Sequence, residues 1–588
     1  MEKWFIRNKN YDYRKISKQF GVSEILAKLL VNRDIIDDSK IDLFLNPQMK
    51  RLNNPECMKD LVKGANIIID KIKQQNRIRI VGDYDVDGVM SVYILYKGLK
   101  TLGADVDYVI PDRVLDGYGI NIEIIDMAYS DGIDTIITCD NGISAIEQIN
   151  HAKELGLTVI VTDHHDIPYK EENEGKTYLS SNADAIINPK QMECDFPEKN
   201  LCGASIAYRL IMYLYDILNK SSVKDDFLEF IAIATICDVV DLIGENRIIV
   251  KNGLKALNNT NNIGLKALFD LCDIKDRDIG VYHVGFIIGP TINASGRLDS
   301  ALHALELLLT DDIQEAYEKA KELRDLNDER KDMTLMGVER IVKQIETSSI
   351  INDNVIVVYD PEIHESIAGI IAGRIKEKYN KPTIVLTNGN EGVKGSARSI
   401  EGYNMYEELS KCKGILKKFG GHPMAAGLSL DSGDINNLRN AINDCCSLTD
   451  EDLIPKIYID MELPIEYINF KIIEEIKILE PFGMGNSKPL FGAKGLKIQK
   501  AMLLGSKKNV LKLILISPHK GQRIEGLLFN DAESFIDNLT DKYGKHQFEK
   551  ILNGIENNIN VDILYYPDIN EYMGNVTIQV IISSYRFR

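Results

Sequence analysis

Three carboxylates stand within five residues of one another in VGDYDVDG (residues 81–88), at Asp83, Asp85 and Asp87. Carboxylates that close repel one another unless a cation sits among them. The run follows an apolar IRI and precedes SVYILYKGL, which has the character of a helix. Three chemistries fit such a turn in isolation: a metal site, a nucleotide-binding turn, or a plain acidic loop. The rest of the chain narrows the choice. Asp140 follows TIITC, the group Asp163, His164, His165 and Asp166 follows TVIVT, and Asp238 and Asp241 follow the apolar AIATIC, which is read here as another strand. A single Asp after a strand is ordinarily a turn residue or a helix cap. Acidic and imidazole groups at four apparent strand ends are another matter, because isolated charges there are costly to bury. Asp85, Asp87, Asp140, His164 and Asp238 form an oxygen-rich set with one imidazole, which suits Mn²⁺ or another first-row divalent ion better than a sulfur-rich zinc site. Carboxylates also bridge, so the set has room for two ions about 3.5–4 Å apart. No calcium loop runs on to a twelfth-position glutamate. Asp83 stands between ligand and orienting group, and His165 between ligand, phosphate contact and acid.

Elements must bring these groups together. From residue 78 to about 250, short β-rich runs (IRIVG, DVDYVI, TIITC, TVIVT, DAIIN) alternate with amphipathic helices. That alternation predicts an open, mostly parallel α/β sheet, whose ligands collect outside the carboxyl ends of the strands. A polar helix with apolar positions at three- and four-residue intervals spans about 311–346 and is expected to bridge to a second α/β unit that begins with NVIVVYD at 354. A strand-rich region follows from about 455. Residues 1–70 carry helix-like patterns such as EILAKLLVNR and are expected to attach to the domain that follows. The expected division is 1–70, 71–310, 311–350, 351–450 and 451–588.

The chain has 588 residues, 44% of them apolar and 27% charged, ordinary for a multidomain globular protein. No stretch of about 18 apolar residues predicts a membrane span, and the N-terminus carries no signal-like run. Nine scattered cysteines without a close CxxC pair fit a reducing cytoplasm. The net charge of −18 excludes a surface coated for nonspecific nucleic-acid binding. Between Arg374 and His422, however, ten Lys/Arg face five Asp/Glu, so an anion is expected to be gripped there.

VGDYDVDG, ITCDNG, VTDHHD and CDVVDLIGENR, taken in order, resemble the DHH phosphoesterase superfamily and, within it, the RecJ-type bacterial exonucleases. The likeness extends through GPTINASGRLDSA (289–301), HESIAGIIAGRI (364–375), SARS (396–399), FGGHPMAAGL (419–428) and LEPFGMGNSKPLF (479–491). It implies a DHH-type, mostly parallel sheet domain joined by a long helix to a smaller DHHA1-type α/β domain, followed by an oligonucleotide-binding (OB) β domain. It also implies a metal centre at Asp85, Asp87, Asp140, His164 and Asp238, with Asp83 in the same signature and His165 beside the scissile phosphate. Asn293 and Arg297 then face phosphate, and His364, Arg374, Ser396, Arg398, Gly421 and His422 belong to the domain that closes over the strand. Three positions depart from the commonest family wording: Thr291 in place of Arg, which removes one cationic phosphate contact, Ser366 in place of Gly, and Asp241 in place of Pro.

The implied activity is hydrolysis of single-stranded DNA from the 5′ end to 5′-mononucleotides, in recombination and repair, with Mn²⁺ or Mg²⁺ and most simply two ions. A monomer working beside a single-strand-binding protein and a RecQ-type helicase is implied by the same likeness. A DHH oligoribonuclease, a cyclic-dinucleotide phosphodiesterase and an inactive replication scaffold are the rival readings; the third domain and the complete ligand set weigh against them. Gly420 and Gly421 are expected to admit a phosphate close to the backbone or to make a tight turn. Tyr403, Tyr406 and Phe419 are stacking platforms or core, and Met424 and Leu428 are read as core.

Overall fold

The computed structural model describes residues 2–172, 175–220, 227–389, 392–505, 508–529, 531–572 and 574–588. The chain folds as two compact units. One comprises Gln48–Asp241 and Glu245–Pro455, the other Met1–Pro47, Leu242–Gly244 and Lys456–Arg588.

The first unit begins with a five-stranded sheet, every pairing of which is parallel. Its order is Val106–Val109, Ile78–Val81, Thr135–Cys139, Thr158–Thr162, Ala185–Ile187. The strands are short β-branched runs. Ile78–Val81 and Thr135–Cys139 are buried throughout, as both-face coverage by helices demands. In chain order this is a 2-1-3-4-5 sheet, so the connection reverses direction between the first strand and the third, where ligand sites form in open α/β sheets.

One sequence expectation fails here. The apolar run before Asp238 is the helix Leu228–Cys237, with Asp238 as its C-cap, and not a strand. The helix is buried on nearly every side, so its residues are apolar all round and show no helical period. The 34-residue helix Ile313–Glu346 leads to the second sheet. That sheet has the order Leu416–His422, Ala425–Leu430, Gly392–Arg398, Thr383–Gly389, Ile356–Tyr359. Its last pair is parallel and the others are antiparallel.

In the other unit, Phe491–Leu504 pairs with both Val510–Ile516 and Asn560–Tyr572, which closes five strands into a barrel through Arg523–Phe529 and Asn575–Phe587. Residues 1–47 fold with this barrel and not with the sheet that follows them in sequence. Strand Lys3–Ile6 pairs parallel to Lys456–Ile459. Leu26, Leu29 and Leu30 share a core with Ile473 and Phe491. The buried Arg33 lies 3.7 Å from the equally buried Asp460, which also accepts from Asn32 at 3.1 Å.

Candidate active site

The site is built where the first, third and fourth strands of the parallel sheet end. After Ile78–Val81 the chain turns directly into the helix Val86–Thr101, and Asp85 caps it by accepting from the Gly88 amide at 3.1 Å. Asp87, in the first turn, is buried and accepts from the Gly203 and Ala204 amides at 2.5 and 2.8 Å. Those amides open the helix Gly203–Ile217, whose positive end favours a carboxylate. Asp140 follows the third strand at φ +59°, a left-handed conformation that Asp tolerates better than most residues. The buried Asn141 donates to Val81 O at 3.1 Å and Cys139 O at 2.8 Å, tying the ends of two strands together.

His164 lies at the centre. Its Nε2 is 3.1 Å from Asp140 and 3.8 Å from Asp87, and its Nδ1 is 3.7 Å from Asp238. Among the described residues, three overlapping groups offer ligand atoms within 4.8 Å of one another: Asp140, His164 and His165; Asp87, His164 and Asp238; Asp83, Asp85 and Asp140. The structure therefore gathers all five expected metal ligands, with Asp83 and His165 beside them. Asp166 and Asp241 fall outside these groups: Asp166 is exposed and pairs with Lys190 at 2.9 Å, while Asp241 accepts from Asn200 at 3.2 Å.

The electrostatics describe a cluster short of positive charge. Burial, reinforced by neighbouring carboxylates, pushes Asp87 up to about 6 and Asp238 up to about 8, and lifts Asp83 and Asp140 well above the usual carboxylate range. Asp83 Oδ1, Asp140 Oδ1 and Asp238 Oδ2 are buried without a hydrogen-bond partner. Buried polar atoms are normally satisfied. Orphaned carboxylate oxygens around an imidazole are the donor set a divalent cation takes, so the residues present fit one.

Asp163 behaves differently. It is buried yet held below the usual range, because against that burial it accepts from the His165 ring at 2.8 Å and from the Ile143, His164 and His165 amides. It orients His165, whose pKa rises to about 9: burial opposes the shift, and the Asp163 hydrogen bond with the surrounding carboxylates outweighs it. His164 goes the other way, down to about 4, through burial and its charged neighbour. Asp163 is visible in the sequence without its role. Tyr118 has no signal there at all: it lies in the turn-rich segment 111–119, donates to Asp140 O at 3.0 Å, and places its hydroxyl 3.3 Å from His165 Nε2.

Beside the centre opens a cleft of about 470 Å³ between the two sheets of this unit, lined by Tyr84, Arg113, Ser366, Ser396, Gly420 and Gly427 among others. Its floor is formed by residues in register: Ser396 pairs with Gly427, and Gly427 with Gly420. A Cβ at Gly420 or Gly427 would meet nothing within 4 Å, so those glycines keep space open. Gly421 sits at φ +147°. Arg113 lines the cleft, and Arg297 and Arg398 lie close enough to feel its charge. Arg297 donates to Ser366 O at 2.8 Å, and burial with the like charges of Arg113 and Arg330 pushes it down to about 10. Arg398 is lowered by burial and by Arg113, which lies over the Tyr84 ring at 4.7 Å.

The remaining expected site residues divide. Asn293 accepts from the Val86 amide at 3.1 Å and so fixes the carboxylate turn from outside. His364 caps a helical turn, with its ring 2.7 Å from Ser366 Oγ. His422 ends an exposed strand and helps to lower Asp166, outside the metal-type groups. Arg374 is exposed on the helix Ala368–Tyr379 and lines neither the cleft nor the cluster. Thr291 is buried and bonds Ile287 O and Asn327, joining two helices. Tyr403 and Leu428 are core, and Tyr406 and Phe419 meet at a tilt, ring centroids 5.7 Å apart, on the surface side of that core. Met424, expected in the core, is half exposed in the turn between two strands.

Residues 77–235 match the DHH family N-terminal domain, 352–448 the DHHA1 domain and 459–584 the RecJ OB domain. The single-stranded-DNA-specific exonuclease RecJ of Bacillus subtilis is 36% identical over 536 residues, covering 90% of this chain; the chain spans 66% of that relative's length. The RecJ of Haemophilus influenzae is 31% identical, with 95% of each chain covered. In fold, the chain is similar to RecJ of Thermus thermophilus in complex with Mn²⁺, at a TM-score of 0.80 and 26% identity, over 99% of this chain and 79% of that one.

Proposed function

This chain belongs to the RecJ family of DHH phosphoesterases, and from that premise we propose that it is a divalent-metal-dependent exonuclease acting on single-stranded DNA from the 5′ end. One observation carries the reading: a buried carboxylate–imidazole cluster that fits divalent cations adjoins a cleft lined by Arg113, with Arg297 and Arg398 close to it. Asp85, Asp87, Asp140, His164 and Asp238 would hold the ions, with Asp83 beside Asp85 and Asp140. Mn²⁺ or Mg²⁺ bound there supplies Lewis-acid stabilisation of the phosphoryl oxygens and a water of lowered pKa. The chain's own groups do the rest. Arg297, Arg398 and Arg113 face the phosphate's negative charge, and Arg can take two oxygens at once. Ser396 and the open floor at Gly420 and Gly427 let the backbone of a strand approach. His165, fixed through Nδ1 by Asp163, holds a proton at neutral pH that it would give to the 3′ oxygen of the departing 5′ nucleotide, the remaining strand keeping the phosphate.

No serine or cysteine nucleophile is required. An oligoribonuclease or cyclic-dinucleotide phosphodiesterase would not use the barrel of residues 456–588, whose fold type tracks single strands. A scaffold without activity is at odds with the intact ligand set. No helix among the described residues is long and apolar enough to cross a membrane. Family membership alone supports the remaining parts of the reading: a cytoplasmic monomer serving recombination and repair beside a single-strand-binding protein and a RecQ-type helicase. The decisive assay compares end-labelled single-stranded DNA, its duplex and short RNA with Mn²⁺ present. Early release of a 5′-labelled mononucleotide from the single strand alone is expected. Preferential cleavage of RNA dinucleotides, with long DNA untouched, would overturn the assignment.

A further inference from the structure

Among the described residues of the nuclease unit, Tyr282 and Phe286 are the two most exposed aromatics, at 66% and 70%, and they stack on each other with ring centroids 5.1 Å apart and planes 26° apart. Two large rings left in water and paired one turn apart expose apolar surface for which the fold itself has no use. They lie on the helical segment Val281–Leu298, whose Val284–Ile288 turn is a π-helix. Such bulges gather at functional sites.

The same segment runs along the active site. Gly285 packs toward Ile236 and Gly289 against Cys237 Sγ, both just before Asp238. Farther on, Asn293 fixes the Val86 amide and Arg297 reaches Ser366 O at the cleft. Phe286 lies inside the π-helical turn, and Asn293 and Arg297 follow it on the α-helical turns of the same segment. Phe286 thus precedes Asn293 by about 10 Å along the axis at roughly 1.5 Å per residue. That is on the order of three stacked nucleotides at about 3.4 Å each. Val239, next to Asp238, is also exposed, at 59%, and holds φ +59°, a rare conformation for a β-branched residue.

We propose that Tyr282 and Phe286 form a base-stacking platform for the single strand, a few nucleotides from the bond being cut. The occupant is a nucleobase and not a protein, because the rings stand on the segment that carries Asn293 to the carboxylate turn and Arg297 to Ser366 of the cleft. Stacking also supplies sequence-tolerant affinity that a chain of charge −18 cannot draw from its surface field. The inference rests on the nuclease reading above, and the test separates the two.

Full-length wild type and the double variant Tyr282→Ala/Phe286→Ala are assayed with Mn²⁺ on three substrates: a 20-nucleotide single strand, the same strand with abasic sites walked from the third to the sixth nucleotide, and the dinucleotide pdTpdT. The expected result is an approximately tenfold rise in KM of the double variant on the 20-mer with kcat within twofold. For wild type, one abasic position reproduces that rise; the variant is indifferent to abasic sites. Tyr282→Trp/Phe286→Trp restores the wild-type KM. An unchanged KM on the 20-mer overturns the platform while leaving the nuclease reading in place. Equal losses on the 20-mer and on pdTpdT overturn it too, by showing a structural role. Wild type that cuts neither DNA substrate removes the nuclease reading and the platform with it.

Discussion

At Gly203 the backbone comes so near Asp140 that a Cβ there would stand 2.8 Å from the Asp140 Cβ and 2.9 Å from its Oδ1. The contact is to the root of a side chain held by a left-handed backbone, so Asp140 has little room to swing away. Gly203→Ala is therefore expected to displace a carboxylate of the cluster by several tenths of an ångström and to lower kcat by about tenfold to a hundredfold. Its KM for single-stranded DNA should stay near wild type, because the cleft residues are untouched; steady-state kinetics check both. Retained kcat would separate Asp140 from catalysis. Acid–base behaviour gives a second residue-scale expectation. In chelated protein Asp238 is raised to about 8, so its contribution is fully present below the unfolded value near 4 and lost as pH climbs through 8. His165, raised to about 9, loses its contribution in the same direction. His164, depressed to about 4, has an opposing slope only below its unfolded value of about 6.5. Between pH 7 and 9, then, the metal-free melting temperature should fall by several degrees, for about 2 kcal/mol. Added Mn²⁺ should stabilise more at pH 9 than at pH 7, since protons no longer compete for the ligands. Scanning fluorimetry in chelator and in Mn²⁺ measures this, and a flat metal-free profile would contradict it.

The helix Gly289–Leu298 both contributes Arg297 to the site and positions the carboxylate turn. Gly296 approaches the carboxylate turn so closely that a Cβ would sit 2.2 Å from Tyr84 O. Gly296→Ala is expected to force helix and turn apart, at a cost of about 1–3 kcal/mol by overpacking. It should also lose activity on every substrate length, unlike the aromatic variants on the same segment; denaturant melts and the dinucleotide assay together distinguish the two. At this scale the sequence was legible wherever one physical signal dominated. Buried parallel strands read as short β-branched runs, and four turns of the DHH unit announced themselves through paired acids and imidazoles. Leu228–Cys237 misled because a helix covered on all sides carries no periodicity; its ten-residue length, beyond the usual reach of a buried strand, was the remaining clue. Asp238 nevertheless reached the cluster, since a helix C-cap can aim a side chain as well as a strand end can. Tyr118 stayed hidden because nothing local marks a tyrosine whose partners, Asp140 and His165, lie 22 and 47 residues away.

For the whole molecule, the least legible feature was the placement of residues 1–47 with residues 456–588, because parallel pairing of Lys3–Ile6 with Lys456–Ile459 leaves no trace in local pattern. The charge distribution was easier to read, and it sets how the protein must meet its substrate. A net −18 chain repels a polyanion at long range, so attraction has to come from a few concentrated cations. The excess between Arg374 and His422 supplies part of this, yet the guanidiniums that converge on the cleft include Arg113 and Arg297, from far earlier in the chain. Arg374, inside the basic segment, stays out on the surface. Binding of a single strand should therefore be salt-dependent but shallow. With Arg113, Arg297 and Arg398 each neutralising one phosphate, log K against log salt is expected to have a slope of about −2, at roughly −0.7 per contact for single strands. Arg398→Ala should flatten that slope by roughly 0.7, whereas Arg374→Ala should leave it unchanged. Fluorescence anisotropy of a labelled oligonucleotide, titrated at several salt concentrations in the presence of Ca²⁺ in place of Mn²⁺ to slow turnover, provides the measurement. A slope several times steeper would mean that the strand is held by a broad basic surface, and the convergence of three arginines on one cleft would then explain little of the binding.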